Sequence, residues 1–266
     1  MHRWPAHQIH GDTPTPLIWL LAGTGEGPPL AASLLQRGWA VLVSVVTAEA
    51  ARAYSPDPRL QVLVGPLADQ GAMAVVLNRH RPRWVVDATH PFAQRISTDL
   101  AAVCQRLQQP CCRLQRPAVD ADGRLRLEQL TNLQALRQLE LRQERLLLAI
   151  GSRHLPEALA ASGAAQHHAR VLDRPLSLQL ALAAGLRDEQ LACLRPDPHG
   201  SGAVERALCR RWGITAVLCR ASGGATEALW RQVCAELDLR LLLLRRPPDS
   251  AVGLCPEALL AKLGHP

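Results

Sequence analysis

Leu17-Ile18-Trp19-Leu20-Leu21-Ala22-Gly23-Thr24-Gly25-Glu26-Gly27-Pro28-Pro29 is an apolar run that breaks into alternating glycines and then two prolines. The pattern predicts a buried strand, a tight turn and the first turn of a helix. Glycines suit such a turn because a backbone without Cβ can take positive φ and lets a ligand approach its N–H groups. The helix N-terminus behind them favours negative charge, so a phosphate is the natural ligand. Pro28 and Pro29 fit the opening of that helix, where N–H groups have no intrahelical partner. The dinucleotide fingerprint G-x-G-x-x-G is not matched in full: Gly27 comes one residue early and Pro28 takes the place of the third glycine. Taken alone, the turn is equally compatible with a structural strand-to-helix connection.

Outward from this turn, Leu30, Ala31, Leu34 and Leu35 recur at helical spacing and Gly38 supplies a stop. Val41 to Thr47 is a β-branched run without turn residues, as in a strand buried on both faces. The second strand of such a β-α-β unit usually ends in an acid that holds the ribose hydroxyls of NAD. Here it ends Ser44-Val45-Val46-Thr47. Without an acid at that point a 2′-phosphate meets no repulsion, and Thr47 or Arg52 could approach it, which favours NADP; Glu49 nearby pulls the other way.

A third strand is expected over Leu60 to Val64, closed by Gly65-Pro66, and Asp69 can cap the helix carrying Met73, Val76 and Leu77. Then Trp84-Val85-Val86-Asp87-Ala88-Thr89-His90-Pro91-Phe92-Ala93 takes an apolar strand straight into polar groups and a proline. Ligands of open parallel sheets bind at the carboxyl ends of the strands, so Asp87, Thr89 and His90 should lie beside the glycine turn. Any one of them could be only a cap or a loop residue; the cluster argues for a site. A fifth strand, Cys111 to Gln115, ends at Arg116-Pro117. Ala118 to Arg126, with Asp120, Asp122 and Gly123, reads as a crossing to a second unit.

The rhythm then restarts. Strands are expected over Leu146 to Ile150, near His168 to Leu172, over Leu191 to Leu194, Ala216 to Cys219 and Leu241 to Leu244. Gly151-Ser152-Arg153-His154 follows the first of these. Arg220-Ala221-Ser222-Gly223-Gly224-Ala225-Thr226-Glu227 follows the fourth, and Arg245-Arg246-Pro247 the last. Alternating strands and helices imply parallel sheets. The expected architecture is α/β, with two Rossmann-like domains, parallel sheets and a cleft between them: a loose N-terminal extension over 1–16, a cofactor domain over 17–118 and a second α/β domain over 119–266.

Composition narrows the chemistry. The 266 residues are 48% hydrophobic and 3% aromatic, with a net charge of +7. The apolar content is that of a globular protein, and so few aromatics argue against base-stacking surfaces. The basic residues are scattered arginines, suited to bidentate contacts with carboxylate and phosphate. Lys262 is the one lysine, which disfavours Schiff-base chemistry. Eight cysteines form no C-x-x-C pair and read as reduced residues of a cytoplasmic protein. No run of about 20 apolar residues suggests a membrane span. His167-His168 would point to opposite faces of a strand, so no metal site is expected.

The chain is similar to the precorrin-6A reductase family of cobalamin biosynthesis. The residues that carry the likeness are Leu21 to Glu26, Ser44 to Thr47, Asp87-Ala88-Thr89-His90-Pro91-Phe92-Ala93 with Ile96-Ser97, Arg113-Leu114-Gln115-Arg116-Pro117, Ala221-Ser222-Gly223-Gly224 and Arg245-Arg246-Pro247. The resemblance implies an oxidoreductase in which NADPH reduces a carbon-carbon double bond of a polycarboxylated tetrapyrrole, metal-free or carrying cobalt. It assigns Gly23, Thr24, Gly25, Glu26, Thr47, Ala88, Thr89 and Pro91 to the cofactor. It assigns Phe92, Arg116, Arg220, Ser222, Gly223, Gly224 and Arg246 to the substrate, and Asp87, Thr89 and His90 to the catalytic cleft; the proton can come from His90 as general acid or equally from solvent. The family's first turn commonly reads Gly-Thr-Thr-Glu-Ala, and a lysine often opens the helix after Ser-Gly-Gly; here Gly25-Glu26-Gly27 and Leu229-Trp230 stand in those places. Hydride transfer needs no nucleophile, in keeping with a chain that offers no catalytic triad. The rival reading is an S-adenosylmethionine-dependent methyltransferase, whose glycine loop is similar but whose second strand usually ends in an acid. A monomer is expected, without nucleic-acid or membrane partners.

Overall fold

The computed structural model describes residues 15–117, 119, 125–195, 200–248 and 253–266. The described residues fall into two compact units, one containing those up to Gln115 together with those from 253 onward, the other Arg116–Pro248. The expected extension, apart from residues 15 and 16, lies outside the described residues, as do Asp120, Asp122 and Gly123 of the expected crossing.

The first unit holds a parallel sheet of five strands: β1 (Leu17–Leu21), β2 (Ala40–Val45), β3 (Leu60–Val64), β4 (Trp84–Asp87) and β5 (Cys111–Arg113), in the order β3-β2-β1-β4-β5. β1 is central and almost wholly buried, as its unbroken apolar run requires. Its side chains alternate between two cores. Ile18 and Leu20 pack with Leu30, Ala31 and Leu34 of α1 (Gly27–Gln36) and with Leu259 and Leu263 of α9 (Pro256–Leu263). Trp19 and Leu21 pack with Met73 and Leu77 of α3 (Gln70–His80) and with Leu100 and Val103 of α4 (Gln94–Arg106).

Local chemistry sets the helix ends. Prolines open α1 and Gly38 follows it at φ +95°, while the Asp69 side chain accepts from Ala72 N at 2.8 Å to cap α3. The second strand stops at Val45, two residues earlier than expected, because Thr47 turns away to cap the short helix α2 (Ala48–Ala51), accepting from Ala50 N at 3.3 Å.

The expected second domain, 119–266, needs correction at its far end. Its last helix, α9, belongs to the first unit: Arg37 NH1 donates to Leu260 O at 2.9 Å, Trp39 Nε1 donates to Gly264 O at 3.0 Å, and Leu114 bridges Leu254. The apolar stripe of α9 completes the core over β1, which α1 alone leaves partly bare.

The second unit is a parallel sheet of six strands: β6 (Leu127–Leu130), β7 (Arg145–Ala149), β8 (Gln166–Leu172), β9 (Leu191–Leu194), β10 (Ala216–Arg220) and β11 (Arg240–Leu244), in the order β6-β11-β10-β7-β8-β9. Its helices are α5 (Leu155–Ala161), α6 (Pro175–Ala183), α7 (Ala203–Trp212) and α8 (Ala225–Glu236). Trp230, Val233 and Cys234 of α8 and Cys209 of α7 pack on Leu147, Val217, Cys219 and Leu241 of the sheet. The edge strand β6 was not expected. Its sequence, Leu127-Glu128-Gln129-Leu130, is half polar, and it becomes a strand through parallel pairing with β11.

Candidate functional site

In each sheet the strand order reverses at one point, where neighbouring connections leave in opposite directions and open a crevice at the strand carboxyl ends. In the first unit that point lies between β1 and β4. Leu21 and Asp87 are paired there, and Thr24 Oγ1 donates to Ala88 O at 3.4 Å, joining the glycine turn to the loop after β4.

The glycines of the turn have separate tasks. Gly23 and Gly25 are exposed, neither takes positive φ, and a Cβ built on either meets nothing within 4 Å. The expectation that positive φ selects them is corrected: they leave an open backbone surface at the reversal point, which suits close approach of a ligand. Gly27 is buried, and a Cβ there would lie 2.3 Å from the Tyr54 hydroxyl and 2.8 Å from Ala22 Cβ. It fills the close-packing role of the third fingerprint glycine despite its early position. Burial lifts the Tyr54 phenol to about 12, so the hydroxyl stays protonated.

In the first turn of α1, Gly27 N donates to Thr24 O, Leu30 N donates to Glu26 O, and Pro28 and Pro29 have no N–H. Donors for a phosphate would therefore come from the backbone of 23–26, with the helix dipole behind them, the Thr24 hydroxyl being turned to Ala88 O. Thr47 stands beyond the carboxyl end of β2, whose Ser44 pairs with Leu21. Glu49 lies in the first turn of α2, so no acid occupies the end of β2 itself.

The loop after β4 is built on a buried polar network. Asp87 accepts from Thr89 N at 3.0 Å and from Arg113 NH1; the same NH1 donates to Ser97 Oγ at 2.5 Å, and Ser97 and Thr89 hydroxyls lie 2.9 Å apart. Asp87, Ser97 and Arg113 are all buried. Asp87, expected among catalytic groups, thus has its carboxylate engaged on both oxygens. His90 is half-buried; its Nδ1 accepts from Phe92 N at 3.2 Å and its ring tilts against that of Phe92. With Nδ1 accepting, the neutral ring carries its proton on Nε2. Pro91 is buried.

In the second unit the reversal lies between β7 and β10. β10 runs into Arg220 and the turn Ser222-Gly223-Gly224, and β7 into Gly151-Ser152-Arg153-His154. A Cβ on Gly151, at φ +88°, would meet Arg220 NH2 at 3.6 Å. Burial lowers the Arg220 pKa and the neighbouring Arg116 charge adds to the shift. Burial also lowers that of His154, with Arg220 and Arg153 pushing the same way and Glu157 opposing.

The rest of this turn is held internally. Glu227, buried at the start of α8, accepts from Gly223 N at 2.7 Å and pairs with Arg231 at 2.9 Å. Arg116 NH1 donates to Ser222 O at 3.4 Å. Arg246 donates through Nε to Ala221 O, through NH1 to Arg116 O and through NH2 to Pro117 O, at 2.7, 2.9 and 3.2 Å. Arg246, which the resemblance assigns to the substrate, clamps backbone here. Gly223, at φ +66°, has no room for a side chain: a Cβ would lie 2.5 Å from Pro117 O and 1.7 Å from Arg246 NH2.

The profile of the precorrin-6x reductase CbiJ/CobK family matches residues 17–263. The chain belongs to that family. It is 35% identical over 235 residues to the cobalt-precorrin-6A reductase of Synechocystis sp., covering 86% of this chain and 88% of that protein. It is 28% identical over 241 residues to the precorrin-6A reductase of Rhodobacter capsulatus, covering 90% and 91%. Among solved structures it is similar to a CobK precorrin-6A reductase, with a TM-score of 0.73 and 25% identity over 94% of this chain and 98% of that one. The relatives are reductases, and the methyltransferase alternative is dropped.

For a precorrin-6x reductase, the residues that the sequence reading missed are Ser97 and Arg113 as partners of Asp87, Tyr54 over Gly27, and Gly151 to His154. The last could have been found, since a glycine followed by polar residues directly after an apolar strand is the signal that identified the other turns. Among the described residues no group of three His, Cys, Asp or Glu is placed to hold a metal ion, and no helix is long and apolar enough to cross a membrane.

Proposed function

We propose that this family member reduces a carbon-carbon double bond of precorrin-6A or its cobalt complex with NADPH. The observation that carries the reading is the open Gly23–Glu26 backbone tied to Ala88 at the reversal point of the first sheet. Its residues fit a dinucleotide: two glycines with free space before them, a threonine hydroxyl between them, and a second strand without a terminal acid.

When bound, NADPH supplies the hydride. The 23–26 backbone would hold the pyrophosphate, and Thr47 would lie at the adenosine end, where a 2′-phosphate would meet no carboxylate from β2. The loop Ala88-Thr89-His90-Pro91 forms the surface for the nicotinamide and, with Phe92, keeps water from it. Reduction of the double bond adds hydride at one carbon and a proton at the other. His90 supplies that proton from its imidazolium form: Nδ1 takes up a proton and releases the Phe92 N–H, and loss of the Nε2 proton then leaves the neutral ring. In the second unit, Arg220 and Arg116 would attract the carboxylates of the macrocycle, while Ser222, Gly223, Gly224 and Arg246 fix the shape of that strand end.

The test is to mix the purified protein with NADPH and precorrin-6A, metal-free or cobalt-loaded, and follow absorbance. Oxidation of NADPH with one form names the substrate. No oxidation with either overturns the reading.

A further inference from the structure

We propose that Arg113 is a positioning residue for the reduction, fixing the loop that carries Thr89, His90 and Phe92; the inference rests on reading the first unit as the cofactor domain. The sheet creates the arrangement, since Asp87 and Arg113 are in register on neighbouring parallel strands. From there a single nitrogen, NH1, reaches two places at once. One is the Asp87 carboxylate at the end of β4, the other the Ser97 hydroxyl in the first turns of α4. These are the two ends of the loop 88–93, so one guanidinium sets the distance the loop must span.

The rest of the network carries that constraint into the loop. Ser97 Oγ passes it to Thr89 Oγ1, and the other Asp87 oxygen holds Thr89 N. Thr89 is thereby gripped by backbone and side chain, immediately before His90. A buried ion pair adds little stability beyond what well-packed apolar groups would give. What this one provides is geometry: the two N–H groups of one planar nitrogen point in fixed directions, which a freely rotating lysine ammonium holds less firmly. The adenosine end of the site lies elsewhere, beyond the end of β2, with β1 standing between β2 and β4. Loosening the network should therefore disturb the nicotinamide half of the cofactor and spare the adenosine half.

The experiment is calorimetric titration of Arg113→Lys and Ser97→Ala with NADPH and, separately, with adenosine 2′,5′-bisphosphate, which lacks the nicotinamide. Ser97→Ala keeps the buried ion pair and so remains informative where Arg113→Lys fails to fold. The expected result is a loss of about tenfold for NADPH, from a misplacement of the kind that costs precise sites far more in rate. Affinity for the bisphosphate should stay within about twofold of wild type, below the shift that RT ln 2 makes meaningful. Equal losses for both ligands, as a merely structural role would give, or no loss for either, overturn the proposal. Wild-type protein that binds neither ligand overturns the cofactor reading of the first unit and the proposal with it. Wild-type protein that binds NADPH but leaves precorrin-6A unreduced overturns the substrate assignment alone.

Discussion

The Tyr54 hydroxyl occupies the space into which a side chain on Gly27 would project, 2.3 Å from the position its Cβ would take, with Ala22 Cβ behind it at 2.8 Å. The helix after the glycine turn can approach the sheet only because that Cβ is missing. Gly27→Ala should destabilise the protein by about 1–3 kcal/mol, the usual cost of overpacking. Tyr54→Phe removes the nearer contact and leaves Ala22 in place, so the double variant should recover part of the loss. Urea denaturation of the two single variants and the double variant measures the coupling; strict additivity would show that the two residues do not meet.

Arg246 is a second case of a side chain serving backbone. Lysine at this position keeps the charge but cannot reach three carbonyls that diverge around a planar fork. Arg246→Lys should cost about 1–3 kcal/mol, two hydrogen bonds at about 0.5–1.5 kcal/mol each, visible as a lower midpoint in chemical denaturation. Affinity for NADPH should remain that of wild type, because Arg246 belongs to the second unit. A variant as stable as wild type would mean that the clamp contributes nothing.

Stability should fall on mild acidification. Burial lowers the pKa values of His80, His154, His167 and His168 below that of a free imidazole, and Arg145 adds to the shift at His168, which stacks on Trp212. A histidine whose folded pKa is depressed contributes fully above its unfolded value of about 6.5, and its contribution declines as pH drops below that value. Denaturation midpoints at pH 8, 7, 6 and 5 should therefore be level at first and then fall. Replacing His168 with Gln should flatten part of that fall.

The preference for a phosphorylated ribose can be tested at one residue. Thr47→Asp preserves the cap on α2, since aspartate accepts from the N3 amide as well as threonine does, but it places a carboxylate beyond the end of β2. The KM for NADPH should rise at least about tenfold, a difference of about 1.4 kcal/mol, while use of NADH improves. Unchanged discrimination would move the 2′-phosphate away from Thr47.

What could be read from the sequence was what neighbours in the chain decide. Pro28 and Pro29 mark a helix start, Gly38 a stop and Asp69 a cap, because each acts within a few residues. The apolar runs of β1, β4, β7 and β10 mark central strands for the same reason. The polar clusters after β1 and β4 then locate the reversal point of the first sheet. The assignments that shifted depend on distant pairing. Asp87 reads as a free acid until Arg113, 26 residues away, arrives beside it on β5. Arg246 reads as an anion-binding charge until Ala221, Arg116 and Pro117 present their carbonyls to it. β6 is too polar to declare itself and needs β11, and α9 sits on a core begun more than 200 residues earlier, so proximity in sequence placed it in the wrong unit.

That placement of α9 bears on how the chain acquires its structure during synthesis. The second unit is one uninterrupted stretch, whereas the first lacks part of its covering until residues 254–263 have been made. On a ribosome, the middle of the protein can close while Ile18, Leu20 and Val41 still wait for Leu259 and Leu263. The candidate cofactor-binding half, although translated first, is thus the last to be finished, and any chaperone that attends this chain would be needed by its earliest strands.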